Sequence, residues 1–357
     1  MQANYLRLWQ QNWLLILFIV IAFLSLFWSV AFSASLYRSA ALLFSSLIGA
    51  YIGMRYSLKG LLDILSRFGI FLLLVCFALA LFYPAAGAMD WAPYNGAWRG
   101  VFWHKNQFGS IAALFTLVFA IGALNGIGKK DGRPTMYFAF YLFSAVVIYF
   151  SKSVAGYALC MIVSFCTLLA FLWLKIRHRL TPVHYYSALG LGILAAAVVW
   201  FNLDFILGLF NRDTSLTGRI PMWGHLLRDV IAKSPWIGHG FGALWYVGSF
   251  QVSMQQAVGW GFPIVIADNG FLDILLHVGL LGLIPFLGIL VVMFIRSIKL
   301  VSQYRSLINF FPLVLMIFAI AANISFSLFL ETETFIWLVM VASLFVVTRE
   351  LQPDAIS

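Results

Sequence analysis

A chain of 357 residues, 63% hydrophobic and only 10% charged, at a mean hydropathy of +0.98, is neither a soluble globule nor a disordered polymer. Its 22 Lys+Arg against 12 Asp+Glu leave a formal +10, which in a soluble protein would point to nucleic acid. Here the basic residues sit at the ends of apolar runs and no soluble nucleic-acid motif appears, so nucleic acid is not expected as a partner; Cys76, Cys160 and Cys166 lie in apolar segments without metal-ligand spacing and predict neither disulfide nor zinc.

A bilayer core takes about 20 apolar residues per helix. Apolar runs bounded by charge or by Gly/Pro clusters predict helices over 13-32, 36-54, 62-82, 108-125, 135-151, 155-174, 185-202, 268-295, 307-330 and 333-348. The fold expected is therefore an all-α integral membrane protein with about ten transmembrane helices, a single polytopic domain over 1-357. The first run is full length, aromatic-rich and without a small-residue cleavage site, which is not the pattern of a removable signal.

With the N-terminus cytoplasmic, the inner side collects Arg7, Arg55, Lys59, Arg67, Lys129, Lys130, Arg133, Lys175, Arg177, Arg179, Arg296, Lys299, Arg305 and Arg349. The short outer loops hold only Arg38, Arg99, Lys105 and Lys152, so the positive-inside rule expects both termini inside. Two segments exceed a tight turn, 84-107 and 203-267, and both fall outside; the second is a large loop between two spans. Within it Thr217 is a candidate N-cap, and Trp223, Leu226, Leu227, Val230 and Ile231 form one apolar stripe before Ser234-Pro235 stops the helix. Such a helix lies on the membrane surface or roofs a cavity.

The informative polar residues gather at the outer surface in this topology. They are Arg99, His104, Lys105 and Asn106 before the fourth span, Lys152 in Ser151-Lys152-Ser153, Arg219 in Thr217-Gly218-Arg219, and Asp268-Asn269-Gly270 before the eighth. An ionisable group at membrane depth costs a few kcal/mol unless it faces water or a partner, so cations grouped near one carboxylate make a candidate anion site beside a candidate base. Plainer roles stand beside these: Lys152 snorkelling to headgroups, Arg219 holding a lipid phosphate, Asp268 capping a helix, His104 and Lys105 as loop residues. His225, His239 and His277 share no metal-ligand spacing and read as structural or interfacial. Asp-x-Asp, G-x-x-x-x-G-K-[ST], G-x-G-x-x-G and H-E-x-x-H are all missing, which disfavours a metal-clamped nucleotide-sugar site, an ATP motor, a dinucleotide enzyme and a zinc protease. No cofactor and no metal is expected.

Four segments carry a resemblance. Arg99-Gly100-Val101-Phe102-Trp103-His104-Lys105-Asn106, Ser151-Lys152-Ser153, Thr217-Gly218-Arg219 with the Ser234–Gly242 run, and Ala267–Asp273 followed by Val278–Gly282 are together similar to the outer-face motifs of the Wzy/O-antigen-ligase superfamily of bacterial inner-membrane proteins, most of all its ExoQ-type exopolysaccharide branch. They cover about residues 95-295; residues 1-90 match only as hydrophobic spans. The resemblance implies a multi-span helical fold of the GT-C type acting on sugars carried by undecaprenyl pyrophosphate. It places Lys152 and Arg219 where ligases have two arginines that hold the lipid pyrophosphate, and Asp268 where ligases have a histidine. That substitution fits a polymerase better than a ligase.

The expectation is a metal-independent polymerase with Asp268 and Arg219 as catalytic residues, Lys152, Arg219 and Arg99 on the pyrophosphate, and His104, Lys105, Asn106, Trp223 and Asn269 supporting the site or binding glycan. Trp91, Tyr94, Trp98, Trp103, Trp223, Trp245 and Tyr246 are candidate sugar-stacking surfaces, although interfacial belts show the same enrichment. The resemblance implies lipid-linked oligosaccharides as donor and acceptor, membrane lipids around the spans, and a chain-length regulator, a flippase and an exporter as partners. The alternatives are an O-antigen ligase acting on lipid A-core, a peptidoglycan-polymerising transferase whose signature is not found, and a lipid-linked-oligosaccharide flippase. A flippase would place paired charges inside its spans and show repeat symmetry.

Overall fold

The computed structural model describes residues 2–91, 94–127, 132–179, 218–259, 264–327 and 335–352. Every regular element among them is helical. Helices α1 (Gln2–Gln11) and α2 (Trp13–Leu24, continued as a 3-10 turn to Trp28) meet at a 74° bend. There follow α3 (Phe32–Arg55), α4 (Leu58–Phe82), the single turn α5 (Pro84–Gly87), α6 (Lys105–Asn125), α7 (Arg133–Ser151) and α8 (Val154–Ile176). Beyond the undescribed stretch come α9 (Arg219–His225), α10 (Gly248–Val258), α11 (Gly270–Gln303), α12 (Phe311–Ser325) and α13 (Phe335–Glu350).

Among the described residues seven helices are long and apolar enough to cross a membrane, or eight with the bent α1–α2 pair. The chain is thus an all-α, multi-pass membrane protein. Nine of the ten expected runs coincide with helices; the run over 185-202 lies outside the described residues, as do 328-330 and 333-334 of the last two runs.

Packing follows the rules of lipid rather than of water. Helix α6 is the centre, with 89% of its apolar window buried against 22% for α7 and for α8. Hydrophobicity cannot drive helices together where lipid tails are equally apolar, so close approach of small residues and interhelical hydrogen bonds do it. Gly109 on α6 meets Gly156 on α8, and Thr116 shares a 2.8 Å hydrogen bond with Ser144 on α7. On the other side Gly49 and Gly53, one turn apart on α3, lie against α13 so closely that a Cβ on Gly53 would sit 2.4 Å from the Ala342 carbonyl. The end of α13 then closes two other helices. Arg349 donates to the Met54 and Tyr56 carbonyls at the C-terminus of α3 (2.6 and 2.7 Å), and Glu350 accepts from Leu58 N–H at the start of α4 (2.8 Å). A cation at one helix end and a carboxylate at the other match the two dipoles.

Helix α11 corrects the simple span expected over 268-295. It runs on to Gln303 and is broken at Gly279 (φ 61°, ψ −161°), a conformation essentially reserved for glycine. A break inside a bilayer exposes backbone groups that must find partners. The Ser234–Gly242 run supplies them: Leu280 and Leu281 N–H donate to the Pro235 and Trp236 carbonyls, while Leu276 and His277 carbonyls accept from His239 and Gly240 N–H, all at 2.9–3.0 Å. The same run is held from behind by Trp28 Nε1 on the Ile237 carbonyl and by Ser25 Oγ on Phe241 N–H. The outer loop is thereby stitched into the bundle.

The amphipathic segment begins at Arg219 and continues through a π turn (Leu226–Val230) and a 3-10 turn (Ile231–Lys233) to stop at Ser234. Met222, Leu226 and Ile231 bury against Trp245, Met254, Ile264 and Leu276, a second core beside the bundle. Thr217, the expected cap, lies outside the described residues, as do 203-217, 260-263, Lys129 and Lys130.

Candidate active site

The start of α6, the junction of α7 and α8, the start of α9, the start of α11 and the end of α12 come together at one end of the bundle. Residue by residue, Asp268 stands just ahead of α11 in the left-handed region (φ 51°). Its Oδ2 accepts from Arg219 Nε at 3.0 Å and pairs with Arg219 Nη2 at 2.9 Å; the two side chains are 17% and 22% exposed. The cap of α11 is Asn269, whose Oδ1 accepts from Phe271 and Leu272 N–H at 3.1 and 3.2 Å. The capping role weighed for Asp268 therefore belongs to its neighbour, and the Asp268 carboxylate is turned to a cation instead. The physical reason is the positive φ at 268, which directs the side chain away from the α11 amides.

Trp223, one turn after Arg219, donates its indole N–H to the Ala267 carbonyl at 2.7 Å and ties α9 to the strand of backbone that carries Asp268. Its described contact is a brace. Behind it Asp273 is buried, accepting from Trp245 Nε1 (2.8 Å), from Ala267 N–H (3.3 Å) and from the Ser327 hydroxyl; Ser327 Oγ in turn accepts from Asn269 N–H at 3.1 Å.

The second group centres on His104, the N-cap of α6. Its Nδ1 accepts from Asn106 N–H (3.2 Å) and its own N–H donates to Gln107 Oε1 (3.2 Å), a reciprocal capping box. An accepting Nδ1 puts the ring proton on Nε2. Lys105 is buried: Nζ lies 4.9 Å from the Tyr94 ring centre and donates to the Lys152 carbonyl at 2.6 Å. Lys152 itself ends α7 in a left-handed cap (φ 51°), with its exposed ammonium 3.4 Å from the Asn95 carbonyl. Asn106 Oδ1 accepts from Ser153, whose Oγ also caps α8 through Gly156 N–H, both at 3.1 Å.

The two groups touch through Phe326–Ser327. The Phe326 ring is parallel to that of His104 at 6.5 Å, and Ser327 holds Asn269. Charge links them as well. Burial, then Lys105, then Arg219 push the His104 imidazole down from 6.5 to about 4, so it stands neutral at pH 7. Two cations, Lys105 and Arg219, thus act on the neutral His104, Arg219 being paired with Asp268, and Lys152 joins the group through its backbone carbonyl.

Arg99 is held within its own loop, Nε on the Ala88 carbonyl at 3.1 Å and N–H on Gly87. Of the aromatic residues, Trp91, Trp103 and Tyr246 are exposed, whereas Trp98 stacks on Phe150 at 4.5 Å and Trp245 is committed to Asp273. Asp273, Ser327 and Ser153 were not singled out as site residues by the sequence alone. A carboxylate four residues into an apolar span was the available signal for Asp273; two serines in a serine-containing bundle offered none.

Fold and site define a multi-pass helical membrane protein, and part of it is similar to a known family: the model described as O-Antigen ligase matches residues 139–287, which include Lys152, Arg219, Trp223, Asp268 and Asn269. The wider resemblance to the Wzy/O-antigen-ligase superfamily holds along most of the chain. The "Exopolysaccharide production protein ExoQ" of Rhizobium meliloti (strain 1021) is 28% identical over 339 residues, 88% of this chain and 71% of the relative.

Proposed function

We propose that the protein is a polysaccharide polymerase that joins glycan repeat units carried on undecaprenyl pyrophosphate, working at the periplasmic face of a bacterial inner membrane with both termini cytoplasmic. The O-antigen ligase match and the exopolysaccharide relative support the general activity, a glycosyltransferase-like polymerase or ligase of exopolysaccharide synthesis. The observation that carries the finer statement is the Arg219–Asp268 pair standing beside His104 and Lys105, with Lys152 bound to Lys105 through its carbonyl. Transfer breaks the bond between the donor sugar's anomeric carbon and the pyrophosphate, the electron pair leaving on the phosphate oxygen. The acceptor hydroxyl forms the new glycosidic bond and gives up its proton.

Arg219 suits the leaving group, because its guanidinium grips phosphate oxygens through two parallel bonds, and the lysines add point charges around it. Asp268 suits the acceptor proton as general base. Since the two are paired, an arriving pyrophosphate competes for Arg219 and turns the carboxylate over to the hydroxyl, which couples donor binding to base exposure. His104 Nε2–H is a neutral donor for a glycan or phosphate oxygen. The helical segment over 219–233 serves as a periplasmic roof, and Trp103, Trp91 and Tyr246 as sugar-stacking faces. A chain-length regulator, a flippase and an exporter would complete the assembly.

The test is purified protein in nanodiscs given synthetic undecaprenyl-pyrophosphate repeat units without metal, nucleotide or lipid A. A product ladder at repeat-unit spacing, lost in Arg219→Ala, is expected. The domain match favours one second reading, an O-antigen ligase; transfer only once lipid A-core is supplied would establish that instead.

A further inference from the structure

We infer that Asp273 is the positioning residue of this site: its buried carboxylate fixes the backbone on both sides of Asp268 and thereby aims Asp268 at Arg219. The inference rests on the roles proposed above for that pair. Asp273 is 3% exposed. Its Oδ2 takes Ala267 N–H directly and Asn269 N–H through the Ser327 hydroxyl, so the residues immediately before and after Asp268 hang from one oxygen. Asp268 between them adopts φ 51°, a left-handed conformation that is strained for a non-glycine residue and needs support from its surroundings. Two anchored neighbours give that support.

The other oxygen reaches the large loop. Oδ1 accepts from Trp245 Nε1, and Trp245 belongs to the second core on which α9 lies. From the far side the Ala267 carbonyl receives the Trp223 indole, one turn along the helix that begins with Arg219. Ala267 therefore has its N–H on Asp273 and its carbonyl on the Arg219 helix, and both members of the ion pair are referred to the same carboxylate. A carboxylate kept inside an apolar bundle is expensive, and packing alone would be served as well by an apolar residue. An aspartate here offers what asparagine cannot, two acceptor oxygens facing donors on opposite sides.

The prediction is that Asp273→Asn slows ladder formation roughly 10- to 100-fold, the scale of a displacement of about 1 Å at a reacting group. Binding of the undecaprenyl-pyrophosphate donor should change less than threefold. Ser327→Ala, which cuts only the tether to Asn269, guards against an asparagine variant that does not fold and should slow the reaction in the same direction. The decisive comparison is made in an Asp268→Asn background, where a residue acting through Asp268 has nothing further to lose. Equal rates for Asp268→Asn and for the double variant are expected; a full additional loss would show a general structural role and overturn the inference. A readout independent of activity is the yield of a short thiol cross-link between Arg219→Cys and Asp268→Cys, expected to fall severalfold on adding Ser327→Ala. An unchanged cross-link overturns the positioning role even if the parent protein polymerises, and a reduced cross-link upholds it even if the parent protein, with Arg219 and Asp268 intact, makes no ladder and so removes the polymerase reading.

Discussion

Arg219 and Asp268 meet at 2.9 Å with both side chains still partly open to solvent, a pair that a stronger anion can enter. What Arg219 would bring to a pyrophosphate is its planar fork, so Arg219→Lys keeps the charge and loses the second bond. About a 100-fold loss in polymerisation rate is expected for Arg219→Lys and a larger one for Arg219→Ala, read from ladder kinetics at saturating donor. His104 gives a pH signature. Its imidazole lies at about 4 in the folded protein against 6.5 when free, so between these values the unfolded chain binds the proton that the native one refuses. Stability is then level above pH 6.5, falls as pH drops toward 4 and levels again below. Melting of His104→Gln in detergent should lack that component, worth of the order of 2–3 kcal/mol in the parent protein; identical profiles for the two proteins would mean that His104 is not desolvated. Arg219, Lys152 and Asp268 were legible in the sequence because charge at membrane depth stands out against an apolar background. Asp273 carried that same signal, but its role, like that of Ser327, lies in which backbone amides it holds and was not legible.

At the scale of elements, the Ser234–Gly242 run and the break in α11 are one device. Peptide groups freed at Gly279 are the partners of peptide groups in a loop that has no helix of its own. A Cβ at Gly279 would stand 2.3 Å from the Trp236 carbonyl carbon, and the backbone there, at φ 61° and ψ −161°, tolerates almost nothing but glycine. Gly279→Ala should cost about 3 kcal/mol or more and detach the outer loop, seen as a lower melting temperature and as protease cleavage within 234–242; unaltered protection of that run would refute the stitch. Asn269→Ala removes a helix cap and should cost only about 1 kcal/mol. The helices themselves were readable from apolar length, but the break was not, because Gly279 sits in a Gly-Leu-Leu-Gly sequence that continues equally well as a straight helix.

For the whole molecule, the proposed orientation puts the site end of the bundle outside and the basic end inside. Trp103 is 75% exposed at the site end, while Arg177 follows α8 at the other. A single cysteine at Trp103 should label with an impermeant maleimide in spheroplasts, and one at Arg177 only after permeabilisation. Reversed labelling would put the site on the cytoplasmic side and end the periplasmic assignment. Integrity of the bundle depends on contacts between its first and last thirds: Gly53 against Ala342, Arg349 over the end of α3, Glu350 at the start of α4, and Arg296 bound to Asn12 and Thr348 at 2.6 Å.

Composition alone determined that this chain lives in a bilayer, since a long apolar run has no stable alternative in water and its helical form satisfies every backbone group within the segment. Residue type and position along the spans also marked Arg219, Lys152, His104 and Asp268, because the cost of a charge near lipid is a property of the residue itself. Only the tertiary structure decided that Asp268 faces Arg219 rather than capping α11, that Trp223 is a brace, and that one buried carboxylate reaches both neighbours of Asp268. Those outcomes depend on hydrogen-bond partners 6 to 54 positions apart in the chain, brought together by a glycine break and the packing of small residues. No local pattern in the sequence carries information of that kind.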